Sequence, residues 1–140
     1  MSLRLSLSPI ELSQRFYSLK NAQDVADLLD IERNHLNYHL YIFPPNRKYI
    51  KFYIPKRSGG QREINAPATA LRIIQAKLNQ VLQSVYRPRS SVYSFVKARN
   101  IAKNAKVHSE RNYVLNVDLA DFFPSITFPR VRGMFIAKPY

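Results

Sequence analysis

Residues 49–67 read YIKFYIPKRSGGQREINAP, and residues 69–85 read TALRIIQAKLNQVLQSV. In the first stretch the apolar period is two. Ile50, Phe52 and Ile54 fall on one face of an extended segment, and Tyr49, Lys51 and Tyr53 fall on the other. Lys56, Arg57, Ser58, Gly59 and Gly60 make a turn, and residues 61–66 return with Arg62 and Ile64 on one face. The pattern predicts a β-hairpin with a basic, glycine-containing tip, stopped at Pro67. The period then lengthens. Leu71, Ile74, Leu78, Val81, Leu82 and Val85 share one stripe, while Arg72, Gln75, Asn79 and Gln83 lie off it, as in an amphipathic helix. A basic hairpin leading into an amphipathic helix places the chain in the α+β class.

Upstream the signals are helical. Ser8-Pro9-Ile10-Glu11 combines a capping box with proline at the first helical position, opening a helix to about residue 19. Asn21 with Asp24 opens a second short helix, reaching about residue 29. Asp30 is read as the cap of a third, in which Leu36 and Leu40 stand at i,i+4. Pro44-Pro45 ends this region, so residues 1–45 form an N-terminal helical segment. Downstream, Arg87-Pro88-Arg89-Ser90-Ser91 is a loop and residues 93–96 are expected as a short strand. Residues 101–110 read as a helix capped by Asn100, and YVLNVD at 113–118 reads as a strand with an acid at its end. Thr127 is expected to cap a last helix carrying Val131, Met134 and Phe135.

The 140 residues hold 22 Lys+Arg against 9 Asp+Glu, a net charge of +13, with no cysteine and 46 % hydrophobic residues. That hydrophobic share argues against wholesale disorder. No apolar run approaches the ~20 residues of a membrane span, and no secretory signal is evident before Pro9. The lack of cysteine excludes disulfides, thiolate metal sites and thiol nucleophiles, and it suits a cytoplasmic protein. The charge is unevenly placed. Residues 1–32 carry three basic residues and five acids, whereas residues 33–140 carry nineteen basic residues and four acids, a net of +15. Such a body favours polyanions, with nucleic acid ahead of a membrane surface.

Asp118 is the acid of most chemical interest. A carboxylate closing a buried strand is exposed at the sheet margin, where ligands are commonly held, and its oxygens suit Mg²⁺. The plainer alternative is an aspartate capping the next turn. Lys56 and Arg62 can hold phosphate oxygens across the hairpin, or they can protect a solvated sheet edge. Arg72, Lys77, Arg87, Arg89, Lys97, Arg99, Lys103 and Lys106, interleaved with Tyr86, Tyr93 and Phe95, suit phosphate tracking with base stacking. His35 and His39 lie far from His108 in sequence, and nothing in the spacing supports zinc.

Three motifs together carry a family resemblance. NVDLADFFPSI at 116–126 resembles the first palm motif of reverse transcriptases. FYIPKRSGGQREINAP at 52–67 with LRIIQ at 71–75 resembles the fingers of bacterial reverse transcriptases, and Asn104-Ala105-Lys106-Val107-His108 matches a signature of the retron group. Their order over residues 49–135 is the family's. The resemblance implies the fingers and incomplete palm of a right-hand polymerase: an N-terminal helical segment at 1–45, fingers at 46–112 and the start of a palm at 113–140. It implies an RNA-directed DNA polymerase that extends a primer on an RNA template. Asp118 is then the catalytic, metal-binding aspartate of a set holding two Mg²⁺ ions. Lys56 and Arg62 hold the triphosphate, the chain passes it at Asp121, and Phe123 lies under the incoming deoxyribose; Phe122 is expected in the core. Arg57, Arg72, Arg99, Asn104 and His108 are expected at nucleic acid. The implied partners are an RNA template and primer or a structured non-coding RNA, deoxynucleoside triphosphates, and the remaining C-terminal palm and thumb. No membrane is implied.

The pattern also departs from the family. No Tyr-x-Asp-Asp motif is present, and Asp121 is the one acid after Asp118. Asn100 and Ser94 stand where retron relatives usually carry Ser and Gly. The 140 residues are therefore expected to be inactive alone, as a truncation, a fragmentary gene product or one part of a split enzyme. The alternatives are a non-catalytic nucleic-acid-binding module derived from a reverse transcriptase, and a protein–protein module in antiviral defence.

Overall fold

The computed structural model describes residues 2–120 and 122–137. They form two compact units, residues 1–86 and residues 87–140.

The first unit opens with α1 (Pro9–Tyr17) and α2 (Ala22–Leu28). Both capping boxes form. The Glu11 N–H donates to Ser8 Oγ at 3.3 Å, and the Ser8 N–H donates to Glu11 Oε2 at 2.9 Å. Asn21 Oδ1 accepts the N–H groups of Gln23 and Asp24, and Asp24 Oδ2 accepts the Asn21 N–H. Reciprocal caps of this kind satisfy the orphan donors of a helix start. The Ser8 hydroxyl and N–H also hold the Glu11 carboxyl below its ordinary pKa.

The third helix corrects an expectation. α3 (Arg33–Asn37) starts after Glu32, with no side-chain cap. Asp30 instead adopts a left-handed backbone, φ 49°, in the preceding turn, where short polar side chains are tolerated. The chain continues through a π-helical turn (Tyr38–Ile42), closed by the Phe43 N–H on the Tyr38 carbonyl at 2.7 Å, and a 3₁₀ turn (Pro45–Arg47).

β1 (Tyr49–Pro55) and β2 (Gln61–Pro67) pair antiparallel, with Phe52 opposite Ile64 and Ile54 opposite Arg62. Paired residues share a face, so one side carries Ile50, Phe52, Ile54, Arg62 and Ile64, and the other carries Tyr49, Lys51, Tyr53, Glu63 and Asn65. This second side is laced around Glu63. Lys51 Nζ lies 3.1 Å from its Oε1, and Tyr53 Oη and Asn65 Nδ2 each donate to the carboxylate at 3.1 Å.

α4 (Thr69–Val85) buries Ile74, Val81 and Val85. Ile74 and Val81 join Leu12, Ala26, Leu28, Leu29, Ile31 and Leu36 in one core. Burial of each of these leucine, isoleucine and valine side chains contributes about 1.5–3 kcal/mol. The N-terminal helices and α4 thus stabilise one another across the hairpin in sequence. Leu78, expected on the buried stripe, is 39 % exposed, and Lys77 takes its place at 1 %. Lys77 Nζ donates to the Asp30 carbonyl at 2.8 Å and lies 3.3 Å from Asp30 Oδ2. Lys77 is therefore a structural residue and not a member of a solvent-facing basic set. It ties α4 to the strained turn before α3.

The second unit contains α5 (Ile101–His108), the single turn α6 (Phe122–Ser125) and α7 (Phe128–Ile136). Asn100 caps α5 as expected, its Oδ1 accepting the Lys103 N–H at 2.9 Å. Thr127 precedes α7 but makes no side-chain cap. Two expected strands do not form: residues 93–96 are turn and irregular backbone, and residues 113–118 pair with nothing among the described residues. A strand is stable only through a ladder and a covered face, and here Tyr113 and Leu115 are 94 % and 86 % exposed. Phe122, expected in a core, is likewise exposed.

Candidate nucleic-acid interface

The hairpin tip carries Lys56 and Arg57, with Arg62 on the adjoining strand. The Lys56 N–H donates to the Gly60 carbonyl at 3.0 Å, and the Gly59 N–H donates to the Lys56 carbonyl at 3.1 Å. The tip closes in this way only because Gly59 and Gly60 take φ of +87° and +80°, a backbone that glycine adopts without steric cost. A Cβ at either position would meet no atom within 4 Å, so backbone freedom and not space is what requires glycine. Lys56, Arg57 and Arg62 are all exposed. Among the described residues none of the three side chains has a hydrogen bond or ion pair, so their donors remain open to an anion. Arg72, on α4, is exposed as well.

Glu63 is the acid nearest these cations in sequence, and it is already engaged. The hydrogen bond from Lys51, then those from Asn65 and Tyr53, hold its carboxyl below the usual glutamate range. It lies on the opposite face from Arg62 and does not compete for that guanidinium. Sequence reasoning gave Glu63 no role. The pairing register, which places Tyr53 opposite it and Lys51 opposite Asn65, is the information that was missing.

In the second unit the sequence-predicted residues are spread along the chain. Arg99 is half-buried. Its Nη1 donates to the carbonyls of Arg89 at 2.7 Å, Ser90 at 3.2 Å and Val92, and its guanidinium carbon lies 5.8 Å from the Tyr93 ring centroid. Asn104 and His108 are exposed on α5. Asp118 is exposed, and its Oδ1 accepts the Leu119 N–H at 2.9 Å, the local turn contact of the plainer reading. Phe123 is exposed and meets Phe122 edge-on at 5.5 Å. Asp121 lies outside the described residues. Lys56, Arg57, Arg62 and Arg72 belong to the first unit, and Arg99, Asn104, His108, Asp118 and Phe123 belong to the second.

No group of three or more His, Cys, Asp or Glu that could hold a metal occurs among the described residues. Among the described residues of the 116–126 motif, the one carboxylate offered to Mg²⁺ is the exposed Asp118, which does not by itself fit a two-ion site. Among the described residues no helix is long and apolar enough to cross a membrane.

Comparison with known proteins decides the lineage. The chain is 37 % identical to the retron Mx65 reverse transcriptase of Myxococcus xanthus over 139 residues, 96 % of this chain and 33 % of that protein. The chain is a relative of the retron reverse transcriptases. It is also 36 % identical to the retron Mx162 reverse transcriptase of the same organism over 86 residues, 61 % of this chain and 18 % of that protein. To the retron Ec73 reverse transcriptase of Escherichia coli it is 40 % identical over 80 residues, 56 % of this chain and 25 % of that protein. The chain spans about a third or less of the length of these retron relatives. No protein-family profile and no solved structure matches it.

Proposed function

We propose that residues 1–140 are the fingers and first palm segment of a retron-type RNA-directed DNA polymerase. Residues 1–45 form a helical support, 46–112 the fingers and 113–140 the beginning of the palm. The observation that carries this reading is the hairpin tip: three cations without protein partners on a Gly-Gly turn, in a chain matched along nearly its whole length by a retron reverse transcriptase.

In this reading Lys56 and Arg62 grip the triphosphate of a deoxynucleoside triphosphate, the guanidinium in bidentate fashion and the ammonium as a point charge. Arg57, Arg72, Asn104 and His108 contact the RNA template, the primer or a structured RNA, and Arg99 shapes the loop at residues 89–92. Phe123 lies against the deoxyribose, and Asp121 lies along the triphosphate path. Asp118 contributes one carboxylate to a Mg²⁺ set whose other members lie outside residues 1–140. Magnesium would supply charge stabilisation of the transferred phosphoryl group. The 140 residues alone do not polymerise DNA, because one carboxylate does not position two ions.

The triphosphate grip is tested directly by NMR. The chain has three glycines, and the amide signals of Gly59 and Gly60 report the hairpin tip. Added deoxynucleoside triphosphate should shift both signals, and Lys56→Ala with Arg62→Ala should abolish the shifts. Unmoved Gly59 and Gly60 signals would contradict the reading.

A second reading, a non-catalytic nucleic-acid-binding module, is favoured by Asp118 standing as the one carboxylate of its motif among the described residues, and uses the same cations. The two separate on Asp118→Asn in the full-length protein, which removes synthesis only under the first reading.

A further inference from the structure

Residues 87–108 hold six cations, Arg87, Arg89, Lys97, Arg99, Lys103 and Lys106, and no carboxylate. Two of the six brace the backbone. Arg99 gathers the carbonyls of Arg89, Ser90 and Val92, and Lys103 Nζ donates to the Ala98 carbonyl at 2.7 Å. Between these clamps the chain takes left-handed backbone at two residues other than glycine, Phe95 at φ 60° and Ala98 at φ 64°. That conformation is an outlier for a bulky aromatic, and it persists only where its surroundings enforce it.

The strain does not bury the ring. Phe95 is 92 % exposed. Beside it lies a cavity of about 560 Å³ whose lining includes Tyr93, Asn100, Ile101 and Asn104. The Asn100 side-chain oxygen is spent on capping α5, whereas the Asn104 side-chain amide has no partner among the described residues. A flat apolar ring held into solvent, with an open amide beside it and only positive charge along the segment, matches an unpaired nucleobase on its phosphodiester chain. A base inside a duplex has no free face to offer.

We propose that Phe95 is a stacking platform for an unpaired base of single-stranded nucleic acid, with the Asn104 amide at the base edge and Lys97 on the adjoining phosphate. Arg99 is then a positioning residue that holds the platform in its left-handed turn. The inference rests on the nucleic-acid reading above and adds to it a particular residue and strand state.

The test measures binding of the 140-residue chain to a fluorescent single-stranded RNA and to a duplex of the same sequence, across a salt series. Phe95→Gly removes the ring and relieves the backbone, so it should stay folded. It should weaken single-strand binding about tenfold, leave duplex binding unchanged and leave the salt slope unchanged. Lys97→Ala should instead lower the salt slope by about one. The chain has no tryptophan, so Phe95→Trp supplies a single reporter whose emission should be quenched by the single strand.

Wild-type binding that Phe95→Gly does not weaken would overturn the platform and leave the nucleic-acid reading standing. Equal losses on single strand and duplex would overturn it too. Failure of the wild-type chain to bind any nucleic acid would overturn the reading on which it rests.

Discussion

The two units of the chain solve the same physical problem with opposite results. Residues 1–86 contain every buried side chain among the described residues, whereas in residues 87–140 Tyr113, Leu115 and Val117 are largely exposed. The second unit does not lack apolar residues; among its described residues none is buried. In the first unit, helix caps fix the ends of α1 and α2, and α4 supplies a long stripe against which α1 packs, with α2 held beside α1 and α3. In the second, α5, α6 and α7 are eight, four and nine residues long, and none buries a residue. Helical order is thus set locally, whereas a sheet core needs strands distant in sequence.

The largest expected contrast lies in hydrogen exchange. Amides of α4 and α1 should exchange more slowly than those of residues 113–119 by roughly three orders of magnitude, which corresponds to ~4 kcal/mol of opening free energy. Strong protection at 113–119 would break the comparison. Next in size is Lys77→Ala, which removes a buried aliphatic stem and the donor to the Asp30 carbonyl. It should lower stability of the first unit by about 2–4 kcal/mol, read by denaturant unfolding. Lys77→Met keeps the stem and should cost about half as much. A smaller effect is expected of Asn21→Ala. Loss of its two accepted hydrogen bonds should lower stability by about 1 kcal/mol, and an unchanged midpoint would show that α2 is held by packing alone.

The smallest effect concerns acid. The Glu63 pKa is depressed in the folded chain, so its contribution to hairpin stability is present above the unfolded-state value. It is lost as pH falls through the lower folded value. Fraying of the hairpin on acid titration, followed by NMR, should be weaker in Glu63→Gln, which has no such proton to take up. The exposure of the group keeps this effect small.

What the sequence revealed follows the same division. The caps at Ser8 and Asn21, the hairpin with its glycine tip and the helix at 69–85 were legible because each is written in a few adjacent residues. Lys77 stands three residues after Ile74 and four before Val81, so the stripe itself placed it inside; its charge masked that position. The strands expected at 93–96 and 113–118 failed because alternation shows that a segment can pair, not that a partner is present. Of the candidate site, the open cations of the hairpin tip were legible from residue type. Arg99 was not, because three backbone carbonyls in one loop leave no mark in a sequence. The left-handed turn at Phe95 was hidden for the same reason.

We have proposed that this chain is the front part of an RNA-templated polymerase in which Asp118 is indispensable. The most direct measurement is primer extension on an RNA template, with Mg²⁺ and deoxynucleoside triphosphates, by the full-length protein beginning with these 140 residues. The account predicts synthesis by that protein, none by residues 1–140 alone, and loss of synthesis with RNA binding largely spared in Asp118→Asn. Undiminished synthesis by Asp118→Asn, or incorporation by the 140 residues alone, would contradict it.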